Sequence, residues 1–199
     1  DDNIYEIDET ATISISSLSG GGATISGGSQ SVSITLTSNE SAPTVTLTVS
    51  ANSIAENSGS TLTLTATLSG ATYETVTVGI GTSTNSALEG NDYIDASGSL
   101  DDITISAGST TGTVIFDPVD DSVYEGNETA TISIDSVSGG GATENSSQSV
   151  TITITENDSA PTVTLSTSAS SIAENSGSSL TLTATLSNAT TADVTVGIS

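Results

Sequence analysis

The segment DDSVYEGNE, residues 120–128, brings Asp120, Asp121, Glu125 and Glu128 into one short stretch of chain. Carboxylates at this density repel one another and raise each other's pKa unless positive charge lies among them. The sequence supplies none. Against 24 Asp plus Glu there is no Lys, Arg or His in 199 residues, and the formal charge is -24. No internal salt bridge between side chains can form. The usual counterion for converging carboxylate oxygens is a hard divalent cation, which makes calcium, with about six to eight oxygen ligands, the first candidate. Acids scattered singly, such as Asp135 and Asp193, are read as solvated surface groups.

The same composition narrows the function classes. Phosphate neutralisation needs Lys or Arg, so the reading is no nucleic acid partner, and anionic membrane surfaces are disfavoured for the same reason. Cysteine is absent, which removes disulfides, thiol chemistry and Cys-ligated zinc. Without His, Cys, Lys or Arg there is no catalytic triad and no Schiff base. Nor does an aromatic platform stand beside a carboxylate pair to hold a sugar. The chain is therefore read as not an enzyme. No apolar run approaches the length of a membrane span, so no direct membrane insertion is expected. Abundant Ser and Thr without cysteine point to an extracellular or cell-surface protein that needs no disulfide.

The elements that must position the acids emerge from an internal repeat. PTVTLTVSANSIAENSGSTLTLTATLSGAT at 43–72 recurs as PTVTLSTSASSIAENSGSSLTLTATLSNAT at 161–190, and residues 1–23 recur at 120–142. The two separations, 118 and 119 residues, differ by one position in the loop after GGGAT. Proline-containing joints at 39–44 and 157–162 set the phase. Residues 1–41 read as the C-terminal part of one repeat, 42–158 as a complete repeat and 159–199 as the N-terminal part of a further one, a window on a longer array.

Period-2 alternation marks seven strands in the complete repeat, at 44–49, 61–68, 75–80, 102–105, 113–118, 129–134 and 149–155. Thr and Ser take the wet face while Val, Ile and Leu face inward, the pattern of antiparallel sheets packed face to face. The fold class is all-β: tandem seven-stranded, immunoglobulin-like antiparallel β-sandwiches. If consecutive strands alternate in direction, four acidic segments meet at one pole. They carry Glu56; Glu89 and Asp92; Asp120, Asp121, Glu125 and Glu128; and Glu156 and Asp158. The loops of the other pole hold only Glu74 and Glu144. Glu89 is read as an ordinary polar loop residue, and Glu56, Asp92, Asp120, Asp121, Glu125 and Glu128 as metal ligands.

The SIAENSGS opening, EGNDY, DDSVYEGNETATISI, SGGGAT and the closing TITITEND together resemble the Calx-beta family, across the complete repeat and both partial ones. The resemblance implies a seven-stranded sandwich that binds Ca2+ at its loop end. Members serve as regulatory sensors in sodium–calcium exchangers, occur in integrin cytoplasmic tails, and form long arrays in large bacterial surface or secreted proteins. The family's ligands fall on Glu56, Asp92, Asp120, Asp121, Glu125 and Glu128, with the terminal acidic turn on Asp158. Partial sites would use Asp1, Asp2, Glu6, Glu9 and Glu40 in the first repeat and Glu174 in the third.

The expected function is a calcium-stabilised structural repeat array serving extension, adhesion, a filament or a matrix, in a protein read as bacterial. Its partners are neighbouring repeats and like chains. The alternatives are a calcium-sensing regulatory domain and a filament subunit joined by strand complementation between chains. Sequons at Asn39, Asn127, Asn145, Asn157 and Asn188 are not counted as evidence of glycosylation, because Asn127 and Asn157 fall in the acidic pole.

Overall fold

The structure, a computed structural model, describes residues 2–83, 86–95, 97–98 and 100–199. Asp1, one of the expected partial ligands, lies outside the described residues. Strands β1 (Ile4–Tyr5), β2 (Glu9–Ser14) and β3 (Ser31–Leu36) come first. The middle repeat contains β4 (Thr44–Val49), β5 (Ser53–Ala55), β6 (Leu62–Leu68), β7 (Ala71–Thr72), β8 (Val76–Thr82) and β9 (Tyr93–Ile94). It continues through β10 (Ile103–Ile105), β11 (Thr111–Pro118), β12 (Val123–Tyr124), β13 (Glu128–Ser138), β14 (Thr143–Glu144) and β15 (Ser149–Thr155). Strands β16 (Val163–Thr167), β17 (Leu182–Leu186) and β18 (Ala189–Thr190) follow.

Two five-stranded sheets form the sandwich, ordered β10-β8-β13-β15-β5 and β14-β4-β6-β11-β9. The alternation that predicts the strands also fills the core. Leu62, Leu64, Ala66 and Leu68 of β6 are buried, as are Val76 and Val78 of β8 and Ala130, Ile132 and Ile134 of β13, while the intervening Thr residues lie nearer solvent. Where three apolar residues run together in β11, parity decides: Phe116 is buried and stacks on Tyr93 with ring centroids 4.6 Å apart, whereas Ile115 turns outward.

Two pairings depart from simple antiparallel order. Residues 50–60, expected as a loop, contain β5, which runs parallel to β15 with Ile54 opposite Ile154. The cause is burial: Ile54 is 7% exposed, and seating it takes the chain from the sheet of β4 across to the sheet of β15. The second departure is β14, parallel to β4. The crossing at β5 matters for the site, because Glu56 follows it directly and its N–H donates to the Thr155 carbonyl at 3.1 Å.

The outer strand pairs repeat two pairs of the middle unit, β2 with β3 matching β13 with β15, and β16 with β17 matching β4 with β6. Ile13 faces Val32 across β2 and β3 as Ile132 faces Val150 across β13 and β15. Among the described residues neither outer pair has an opposing sheet, and Ile13 is 58% exposed while Ile132 is fully buried. Two short parallel pairings link the repeats, β1 with β7 and β12 with β18. No helix among the described residues is long and apolar enough to cross a membrane.

This difference gives a paired expectation. Ile132→Ala should lower the unfolding free energy of the middle repeat by about 2–5 kcal/mol through lost burial and a residual cavity. Ile13→Ala, at the matching position, should change it by less than about 0.5 kcal/mol. Urea denaturation of the two variants checks this, and equal losses would contradict the assignment of the core.

Candidate metal centre

Among the described residues, two groups of three carboxylates form at one end of the sandwich: Glu56, Asp121 and Asp158, and Asp92, Glu125 and Glu128. Within each group one oxygen per residue lies within 4.8 Å of the others. Their positions follow from the strands. Glu56 leaves β5, Asp158 lies just beyond β15, Asp121 and Glu125 flank β12, Glu128 opens β13, and Asp92 precedes β9.

Local hydrogen bonds set the side chains. Glu56 Oε1 accepts from the Asp121 N–H at 3.2 Å, and Asp121 Oδ1 from the Val123 N–H at 2.6 Å. Asp92 Oδ2 accepts from the Leu88 N–H at 2.5 Å. Between the groups sits Glu156, whose Oε2 takes the N–H groups of Glu125 and Gly126 at 2.6 and 2.8 Å while its Oε1 takes those of Asn157 and Asp158 at 2.9 and 2.7 Å. Asn127 Oδ1 accepts from the Glu156 N–H at 3.0 Å.

These contacts sort the carboxylates into two chemical kinds. Burial alone would raise the Glu156 pKa, but backbone N–H groups of Asp158, Glu125, Gly126 and Asn157 hold it below its usual value. It is an internally satisfied anion that staples the loop after β12 to the exit from β15. Glu56 is the opposite case: burial pushes it up to about 7, the Asp121 N–H pulls against this, and the charges of Glu156, Asp121 and Asp120 add to the rise. Glu128 is raised by burial and then by Asp92 and Glu125, and Glu125 by burial and then by Asp92, Asp121 and Glu156. Asp158 is raised by burial, Glu156, Asp120 and Asp121.

One atom tests whether a cation fits. Asp158 Oδ2 is buried and accepts no hydrogen bond from the described residues. A buried carboxylate oxygen without a donor carries its full desolvation penalty, and here it stands beside two further carboxylates in a chain without basic side chains. All-oxygen donors of this kind suit calcium and lack the nitrogen and sulfur ligands that zinc prefers.

Of the residues expected to bind metal in the middle repeat, Asp120 alone falls outside both groups; its Oδ1 accepts from Asn157 Nδ2 at 3.2 Å. Glu89 Oε1 accepts from the Leu100 N–H at 2.6 Å. Glu6, Glu9 and Glu40 line one cleft with Ser38 and Asn39, but they form no three-carboxylate group among the described residues, and neither do Asp2 and Glu174. Sequence reasoning placed Glu156 at this pole and missed its role. The available signal was its position: Glu156 immediately follows the last alternating residue of β15, where the chain must change direction.

The raised groups fix the sign of a pH effect. Glu56 titrates near 7 when folded against its usual 4.5, so the folded chain binds more protons in that interval. Stability is full below the unfolded pKa and falls as pH rises through the folded one. In chelator the melting temperature should decline between about pH 4.5 and 7, and Glu56→Gln should flatten the decline. A melting temperature that rises across this window would contradict the electrostatic picture.

The Calx-beta domain family matches residues 38–158. No curated protein matches the chain. Solved structures that match include CBD12 from CALX1.2, with 17% identity and a TM-score of 0.45 over 57% of this chain and 44% of that one. Another is the apo-form Calx CBD1 domain, with 17% identity and a TM-score of 0.45 over 59% of this chain and 99% of that one. The chain thus spans less than half of the first of these structures. On the family match, which takes in the whole sandwich and both carboxylate groups, the chain belongs to the Calx-beta family.

Proposed function

We propose that residues 42–158 are one complete unit of a calcium-stabilised structural array in a surface or secreted protein, flanked by parts of the units before and after it. The observation that carries this reading is the buried, unpartnered Asp158 Oδ2 beside Glu56 and Asp121 in a chain with no basic side chain. Glu56, Asp121 and Asp158 would hold one ion, and Asp92, Glu125 and Glu128 a second. Asp120 adds negative charge beside the first group. Calcium would supply the missing positive charge and coordinate oxygens that otherwise repel. The chain's own residues provide the frame: Glu156 holds both loops by their backbone N–H groups, and β5 presents Glu56 beside the exit of β15.

Two features favour a mechanical output over catalysis. No Lys, Arg, His or Cys is present to serve as base, nucleophile or anion clamp. The acidic pole also contains the connections to the next unit, since Asp158 precedes Pro161 and β12, between Asp121 and Glu125, pairs with β18. Ordering those loops would stiffen the joint. Extension or adhesion at a cell surface, by a soluble like-charged rod without tryptic sites, fits this arrangement. The regulatory-sensor alternative would use the same site but would need a partner outside the array.

Melting residues 1–199 in chelator, millimolar magnesium and millimolar calcium tests the proposal. Calcium at about a hundred times its dissociation constant contributes about 2.7 kcal/mol, a rise of about 10 °C for a unit of this size. Magnesium should give much less, because it demands a tighter octahedral shell. Asp121→Asn should lose most of the calcium effect, and equal melts in all three buffers would overturn the reading.

A further inference from the structure

The pole opposite the carboxylates carries a second feature. Ile4 and Tyr5 of β1 pair in parallel with Ala71 and Thr72 of β7, and the Tyr5 carbonyl accepts from the Tyr73 N–H at 3.1 Å. The Tyr5 ring lies against the turn Gly139–Gly141, where a Cβ on Gly141 would come within 2.7 Å of Tyr5 Cε1. Beneath it, a Cβ on Gly140 would lie 2.7 Å from the buried Thr72 side chain. All three glycines have positive φ, at 89°, 54° and 63°. A side chain at any of the three is disfavoured by backbone conformation, and again by what it would meet: Thr75 or Thr72 of the same unit at Gly139 and Gly140, and Tyr5 of the preceding unit at Gly141.

Two internal comparisons separate the joint from the turn. Gly20, Gly21 and Gly22, the matching run in the first repeat, also have positive φ, at 87°, 64° and 69°, and nothing among the described residues outside the turn comes within 4 Å of their would-be Cβ positions. The turn therefore forms without a tyrosine against it. Secondly, the main-chain pairing recurs at the next junction, where Val123 and Tyr124 pair with Ala189 and Thr190 and the Tyr124 carbonyl accepts from the Thr191 N–H at 3.4 Å.

We infer that this contact is a head-to-tail docking key: the tyrosine of each unit's YE segment seats on the Ala-Thr strand and triple-glycine turn of the following unit, so its partner is another copy of the same repeat. The interface goes beyond the calcium reading and does not depend on it. Main-chain pairing supplies the attachment, and the ring on a surface without side chains supplies the angle. A unit whose glycine turn bore side chains would be excluded from that place in the array.

The chain has four tyrosines, so selective 15N-tyrosine labelling gives a spectrum in which the Tyr73 amide reports the joint and Tyr93 reports the core. In the chain 1–199 the Tyr73 amide should be protected from hydrogen exchange. Tyr5→Ser and Gly141→Ala should each accelerate its exchange by about tenfold or more, while the Tyr93 shift stays in place and shows the sandwich intact. Tyr5→Ser leaves the turn untouched and so isolates the key from strain at Gly141. Fast Tyr73 exchange in the parent chain, or protection unchanged in both variants, would overturn the inference.

Discussion

Charge of one sign, gathered where the fold leaves no room to disperse it, is the constraint on which the rest of the structure depends. Six carboxylates form two close groups, and no basic side chain exists anywhere in the sequence to offset them. Burial makes the repulsion expensive, because solvent screening weakens as Glu56 and Asp158 leave water. Protons can relieve part of it, which is what the elevated Glu56 expresses. At neutral pH a divalent cation is the stronger remedy.

The sandwich creates this constraint and also manages it. Antiparallel neighbours in both sheets return every second loop to the same end, and the β5 crossing adds Glu56 to acids delivered by the loops around β9, β12 and β15. Glu156 shows how a carboxylate survives there without metal: four backbone N–H groups surround it. Asp158 has no such ring on Oδ2. Two chemically similar side chains, two positions apart, are thereby divided into a structural anion and an unsatisfied one.

Much of the architecture was legible because strand alternation is written in single residues. Leu62, Leu64, Ala66 and Leu68 fall inward as period 2 requires, and the copied 43–72 segment announces a repeat. The side of the sandwich on which Glu56, Asp92 and Glu128 gather followed from strand parity. Less legible was the grouping. Sequence treats Asp120 and Asp121 as equal neighbours, whereas the turn into β12 aims Asp121 at Glu56 and leaves Asp120 to Asn157. The β5 strand was hidden because it contributes one buried residue, Ile54, too short a run to show alternation. The tyrosine and glycine contact between repeats was invisible for a different reason: Tyr5 and Gly141 are far apart in the chain and belong to different units.

The proposed function stands on a cation binding where Asp158 Oδ2 has no donor among the described residues. Diffraction from crystals of this chain grown with calcium, recorded at a wavelength where calcium scatters anomalously, tests it directly. An anomalous peak is expected within coordination distance, about 2.3–2.6 Å, of carboxylate oxygens from Glu56, Asp121 and Asp158. A map without that peak, in which Asp158 Oδ2 is met by water or a backbone N–H, would contradict it.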